Sequence, residues 1–434
     1  MANRTHPPTS TSRGTSAIPG FALVLICGLT LFATRLAQAQ TFSDIFDFNL
    51  QTGWYPVSGV TRDGGGNLYG TTSGDFSNPA TAYELKRLHN GWTVNVLYTF
   101  AAGSLPFSGI VFGPDGALYG TTWNLNSYGN VYRLMPPSTV CKSVSCPWTE
   151  TVLYDFQGGN DGSAPYYGNV IFDSAGNLYG TTSAGGGGEC SGGCGTVYEL
   201  SPSGSGWTEQ ILYRFTGGAD GGSPASGVVL DQAGNLYGTT YMGGSGCSGH
   251  GCGVVYELSP SGSGWTEKVL YTFQGASDGK NPNAGVIFDQ AGNLYGATFT
   301  GGSEGGGTVF ELSPSGEGWS FSTLYAFQGG EYGPAGPYDN LAIDGAGSLY
   351  GTTNDDGGAN TAGSVFKLTP QNGEWIYTNL FLFPTDDGAA PYGENPIGGP
   401  TVDSFGNVYG TTSQGGTQNC SFEVNCGVIW EIAP

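Results

Sequence analysis

Four aspartates recur in one setting. Asp161, Asp220, Asp278 and Asp387 are each followed by glycine and, four positions on, by proline. Tyr166, Tyr167, Tyr338 and Tyr392 lie close to this pattern along the chain. Carboxylates beside aromatic rings suit a carbohydrate: rings stack on sugar faces and acids accept hydroxyl hydrogen bonds. Carboxylate oxygens also suit calcium, a hard cation that takes oxygen ligands. No Asp-x-Asp-x-Asp-Gly calcium loop is present, however. Asp-Gly is equally the chemistry of a tight turn, and a repeated structural unit explains its recurrence without a ligand. That second reading is favoured.

Two other sets of residues could carry chemistry. Glu84, Glu199, Glu257, Glu311 and Glu431 share one repeat position, which holds Arg133 and Lys367 in two other units. Facing carboxylates can form an acid/base pair, but one per unit reads more simply as a solvated or salt-bridged strand face. The cysteines form local pairs: Cys141 with Cys146, Cys190 with Cys194, Cys247 with Cys252, and Cys420 with Cys426. Disulfides are expected, each pinning one loop; the rival is zinc, with His250 beside Cys252. No phosphate-loop or His-Glu-x-x-His motif occurs.

The first 39 residues differ from the rest. Arg4 and Arg13 sit in a polar leader, residues 18–33 are almost wholly apolar, and Ala37-Gln38-Ala39 offers small-x-small cleavage. This is the pattern of a secretory signal peptide, too short and too broken for a membrane span. The mature chain is expected to be extracellular, on the cell surface or periplasmic, with no membrane span. The whole chain carries a formal charge of −22. Removing Arg4, Arg13 and Arg35 leaves 9 basic against 34 acidic residues, or −25. Such a surface repels nucleic acid and anionic lipid. Only His89 and His250 remain, which disfavours a multi-histidine metal site.

The elements that hold these residues repeat. Asn177-Leu178-Tyr179-Gly180-Thr181-Thr182 returns with small changes, its tyrosines standing at 69, 119, 179, 237, 295, 350 and 409. Spacings of 50 to 60 residues mark a repeat architecture. Each unit has four β-rich runs bounded by Gly, Pro, Ser, Asn or Asp, and no helical period is sustained. Short links predict antiparallel pairing. The third run of the last unit ends two residues before Pro434, so that unit lacks a fourth run. Thr41 to Phe48 matches the missing one, with Phe48 in the place of Phe156, Phe215 and Phe273. A unit split between the two ends predicts a closed ring. The expected fold is therefore all-β: one seven-bladed β-propeller over 40–434, closed by its N-terminal strand. Its channel is expected to be lined by apolar segments such as Val170-Ile171-Phe172, without metal or catalytic groups. The recurring tyrosine is expected to pack between sheets.

The units GNLYGTT, GTVYELSP and WTEKVLYTF resemble the GloVer (Gloeobacter/Verrucomicrobia-type) tandem repeat of choice-of-anchor bacterial exported proteins. The first two runs are also similar to NHL-type propeller units. The resemblance covers essentially residues 41–434. It implies export, often with a C-terminal sorting anchor, and no defined activity. Nothing follows Pro434 here, so release or another attachment is expected. The leading functional reading is a non-catalytic binding or cell-envelope interaction module for an extracellular glycan or surface protein. A carboxylate-dependent lyase or glycoside hydrolase on the loop face is the rival, and a structural matrix component the third. Function is expected where the repeats differ from one another.

Overall fold

The recurring Asp-x-x-Gly-Asn segment forms the first hairpin of five of the seven units. Asp231 Oδ1 accepts the N–H groups of Ala233 and Asn235, both at 2.8 Å. Its Oδ2 accepts Asn235 Nδ2 at 2.9 Å and the Tyr237 hydroxyl at 3.1 Å. Gly234 adopts a φ of 89°, which side chains disfavour. One carboxylate thus closes the turn and fixes the next strand's tyrosine. The same four partners serve Asp63, Asp173, Asp289 and Asp403.

The computed structural model describes residues 40–74, 78–124, 127–137, 147–316, 318–329, 335–355, 361–384, 392–421 and 424–434. The expected leader, Asp387, and the predicted disulfide between Cys141 and Cys146 lie outside them. The described residues form seven antiparallel blades. Blade 4 shows the pattern: Val229–Leu230, Leu236–Thr240, Val254–Ser261 and Gly264–Thr272 pair in sequence order. Blades 2 and 6 each add a short outlying strand, Ser104–Leu105 and Ala335–Pro337. Blade 7 takes three strands from the C-terminal part, and Thr41–Asp47 supplies the fourth. That strand pairs with Val428–Ala433 from Thr41↔Ala433 to Asp47↔Val428. The ring is closed as the split unit predicts.

Packing between blades repeats as strictly as the turns. The phenylalanine at the end of each fourth strand meets the third-strand aromatic of the next blade, edge-on at six seams and tilted at Phe383–Trp430. Phe215–Tyr256 and Phe156–Tyr198 lie at 5.1 Å between ring centroids, and the closing pair Phe48–Tyr83 at 5.0 Å. That third-strand ring covers the glycine of the second strand: a Cβ on Gly238 would stand 2.5 Å from Tyr256 Oη. The first threonine of the second strand reaches the next blade. Thr181 Oγ1 donates to Ser226 O at 2.7 Å, Thr239 to Ala284 O at 2.8 Å and Thr411 to Ser58 O at 2.8 Å. Blade 5 has Ala297 at this position. There the seam is bridged from the other side, by Asn283 Nδ2 donating to Tyr338 O at 2.9 Å and Gly285 N to Asn340 Oδ1 at 2.7 Å.

The channel corrects the sequence reading. A cavity of about 150 Å³ is lined from blades 1, 2, 3, 6 and 7, which places it on the axis. Its wall includes Asp339, Asn340 and Asn169 beside Val60 and Leu341. The apolar residues of the first strands turn toward neighbouring blades instead: Phe172 packs on Tyr119 at 4.8 Å. An innermost strand presents its ends and backbone edge to the axis, and a hydrophobic run does not report what that edge carries.

Candidate functional site

One face of the ring is built from two loop sets. The link entering each blade pairs with that blade's loop between strands two and three. The contacts are Gly162–Ser163 with Ala184–Gly185, and single bridges Gly222↔Met242, Lys280↔Thr300 and Glu394↔Gln414. Short ladders of this kind hold the rim in place.

Within the links, three predicted aspartates bind their own turns. Asp161 Oδ2 accepts the Tyr154 hydroxyl at 3.1 Å and Gln157 N at 2.7 Å. Asp220 Oδ2 accepts Tyr213 at 3.1 Å and Thr216 N at 2.8 Å. Asp278 Oδ2 accepts Tyr271 at 2.9 Å and Gln274 N at 2.7 Å. The residue before each link proline takes a left-handed φ, 53° at Ala164 and Ser223 and 55° at Asn281. The proline then lies over a glycine of the preceding blade, where a Cβ on Gly195 would stand 2.7 Å from Pro224 Cδ. Each of these link residues therefore has a structural role.

Three of the predicted cysteine pairs are seen as disulfides, Cys190–Cys194, Cys247–Cys252 and Cys420–Cys426. The fourth predicted pair, Cys141 and Cys146, falls outside the described residues and stays an expectation of the sequence. Gly217 and Gly275 sit directly against the first two sulfur pairs. Bridges of this kind persist in oxidising compartments. Among the described residues, no three His, Cys, Asp or Glu side chains stand close enough to hold a metal.

The predicted tyrosines separate. Tyr392 packs against Phe42 and Phe381 at 5.9 and 6.2 Å, at the junction of blades 6 and 7. Tyr166 and Tyr338 instead join a continuous aromatic surface. Trp123 and Phe107 lead to Tyr166, with Phe107 stacked on Tyr166 at 4.7 Å. Tyr166 meets Tyr167 at 4.4 Å, Tyr167 meets Tyr338 at 5.6 Å, and Tyr338 meets Phe299 at 5.5 Å. The Tyr338 hydroxyl donates to that of Tyr167 at 3.4 Å. Burial raises the Tyr166 and Tyr167 hydroxyls above their ordinary range, so both are neutral donors.

These rings border a bowl of about 330 Å³ shared by blades 3 to 6. Tyr166, Tyr167, Tyr241, Phe299 and Tyr338 supply its walls, and Ser183, Ser223 and Asn283 its polar groups. No acid lines it among the described residues. The sequence reading did not select Phe107, Trp123, Tyr241 or Phe299. The available signal was variation: Trp123, Tyr241 and Phe299 follow the Thr-Thr pair or its equivalent, where other blades have serine or asparagine.

The third-strand acids belong to the opposite, turn-bearing face. The hydroxyls of Tyr69, Tyr295 and Tyr409 lie 3.0, 3.1 and 3.0 Å from Glu84, Glu311 and Glu431. Where a cation replaces glutamate, it turns to the hairpin aspartate. Arg133 binds Asp115, and Lys367 Nζ lies 3.8 Å from Asp344. The position is a salt-bridged and hydrogen-bonded strand face.

A seven-bladed propeller with a walled aromatic bowl is the class that this geometry defines. The chain belongs to the Gloeobacter/Verrucomicrobia repeat family, whose pattern matches residues 138–269 and 245–434. No curated protein matches the sequence. Among solved structures, a fungal alcohol oxidase of the AA5 family in complex with copper is similar, with a TM-score of 0.55 and 13% identity. The match covers 92% of this chain and 77% of that one. PorZ, an essential bacterial surface component of the type-IX secretion system of Porphyromonas gingivalis, is similar with a TM-score of 0.50 and 13% identity. That match covers 89% of this chain and 47% of PorZ, so this chain spans about half of PorZ. At such identity both likenesses concern the fold alone.

Proposed function

We propose that the protein is an exported propeller that binds carbohydrate in the aromatic bowl of its loop face, without transforming it. The observation that carries this reading is the convergence of Tyr166, Tyr167, Tyr241, Phe299 and Tyr338 on one cavity with hydroxyl and amide groups between them. Aromatic faces take the apolar side of a sugar ring, and the serines and Asn283 can exchange hydrogen bonds with its hydroxyls. A wall without carboxylates favours binding over hydrolysis, which needs a pair of acids about the scissile bond. Export is supported by the leader pattern in residues 1–39 and by three disulfides. The surface location named for PorZ is compatible with it.

The test is a glycan array probed with the mature chain, followed by titration calorimetry on any hit. Saturable binding that Tyr338→Ala weakens at least tenfold is the expected result. Binding to no glycan, or binding indifferent to Tyr338→Ala and Tyr166→Ala, would sink the reading.

A further inference from the structure

The axial cavity contains a carboxylate that the repeat does not explain. Asp339 occupies the corner where the chain enters the innermost strand of blade 6. The other six blades have Ser58, Ser108, Gly168, Ser226, Ala284 and Gly398 there. A fold that needed only this corner could use the small residues that serve elsewhere. Asp339 is partly buried and lines the cavity. Its Oδ2 accepts Gly399 N at 2.8 Å and its Oδ1 accepts Asn340 N at 2.6 Å. Burial still pushes its carboxyl above the ordinary range, and those two N–H groups only partly offset the effect.

No cationic side chain answers this charge among the described residues. The ion pairs there involve Asp403, Asp115 and Asp344, all in hairpin turns, and none involves Asp339. Even partial burial of a carboxylate without a counter-charge is costly. Its surroundings are rich in amide oxygen. At three of the axial glycines the backbones approach too closely for a side chain. A Cβ on Gly399 would stand 2.5 Å from Asn340 O, one on Gly227 2.2 Å from Asn169 O, and one on Gly59 2.2 Å from Gly399 O. Asn169 and Asn340 stand where other blades have glycine, and both line the cavity.

We propose that this axial cavity binds a hard divalent cation, calcium foremost, with Asp339 as the charged ligand and amide oxygens from several blades and water completing the shell. The cavity measures about 150 Å³, room for a partly hydrated ion at roughly 30 Å³ per water. Calcium accepts six to eight oxygens in irregular arrangements, whereas magnesium demands a near-ideal octahedron. A single carboxylate places the affinity in the weak extracellular class, about 10⁻⁴ to 10⁻³ M. The ion would tie blades 6 and 7 to the far side of the ring. The proposal does not depend on the carbohydrate reading, since the two cavities share no lining residue.

The test is calcium titration of the mature chain by calorimetry, beside Asp339→Asn and the exposed control Glu374→Gln. One ion per chain, weakened at least tenfold by Asp339→Asn and unchanged by Glu374→Gln, is expected. The absence of stoichiometric binding, or equal binding by Asp339→Asn, overturns the proposal. Should that variant fail to fold, crystals of the unaltered protein soaked in Tb³⁺ decide. An anomalous peak within coordination distance of Asp339 supports the site, and ordered peaks only elsewhere refute it.

Discussion

Tyr338 and Tyr167 meet hydroxyl to hydroxyl at 3.4 Å, although 171 positions separate them. One enters blade 6 and the other blade 3, so the contact reaches across the ring. Neither hydroxyl belongs to the repeated network in which second-strand tyrosines bind hairpin aspartates. The two rings stand edge to face, an arrangement aromatic pairs prefer. The contact ties the links of two non-adjacent blades into one wall of the bowl.

Tyr338→Ala removes this wall and the ring packed on Phe299. Loss of one aromatic contact is worth about 1 kcal/mol beyond area, so the expected outcome is a loss of roughly tenfold or more in glycan affinity. Folding should persist, because the Asn283 bond is to the Tyr338 backbone oxygen. Titration calorimetry and a thermal melt check both halves. Tyr167→Phe keeps the ring and removes one hydroxyl, and it should retain most of the affinity.

Ring closure predicts an equivalence between distant residues. Phe48 and Phe215 are both buried, and each meets a third-strand tyrosine edge-on at about the same distance. Phe48→Ala should therefore cost about as much as Phe215→Ala, roughly 3–5 kcal/mol each. Phe48 lies close to the start of the described chain, which begins at Gln40. Were the N-terminal strand a loose appendage, its truncation would be nearly silent in urea unfolding while Phe215→Ala would not.

The ring was legible in the sequence because its determinants repeat. Asp231, Gly234, Tyr237, Gly238 and Thr239 each have a role that every blade needs, with substitutions that remain interpretable. Arg133 and Lys367 in place of glutamate still find the hairpin aspartate. The rest of the bowl, beyond Tyr166, Tyr167 and Tyr338, and the axial carboxylate were hidden for the complementary reason. Phe107, Tyr241, Phe299 and Asp339 occupy positions where the units disagree, and periodicity carries no information about such positions. Ala297 shows what disagreement can mean: the threonine bond to the next blade is absent, and Asn283 and Asn340 bridge that seam. The link aspartates were conspicuous because they repeat, and the turns they close account for that repetition.

The hairpin aspartates should set the acid limit of stability. Burial pushes Asp231 up, but bonds from the Asn235 backbone and side chain, Tyr237 and Ala233 outweigh it and hold the carboxyl below the usual range. Asp63, Asp115, Asp173, Asp289, Asp344 and Asp403 are lowered too. A depressed carboxyl stabilises the fold above its unfolded value, about 3.9, and the contribution is lost as pH falls through the folded value. Melting temperature should therefore drop steeply below about pH 4. Asp231→Ala, which removes four hydrogen bonds to one carboxylate, should cost about 2 kcal/mol at neutral pH. A melting profile flat down to pH 2 would contradict this account.

Glu209 and Glu267 should act in the opposite direction at neutral pH. Burial raises each to about 7, Asp161 and Asp220 respectively adding repulsion. One carboxyl oxygen of each is buried without a hydrogen-bond partner. A raised carboxyl contributes stability that is fully present below its unfolded value, about 4.3, and is lost as pH rises through the folded value. Stability should thus decline from about pH 4 to about pH 7, with the optimum on the acidic side. Both groups keep partial contact with water, so solvent screening keeps each effect below about 1 kcal/mol. Glu209→Gln combined with Glu267→Gln should raise the melting temperature at pH 8 and change it far less at pH 4. The slope that remains in the double variant belongs to Asp44, which burial and Asp47 raise to about 8. If wild type and double variant share one profile from pH 5 to pH 8, the two glutamates are not the source of the decline.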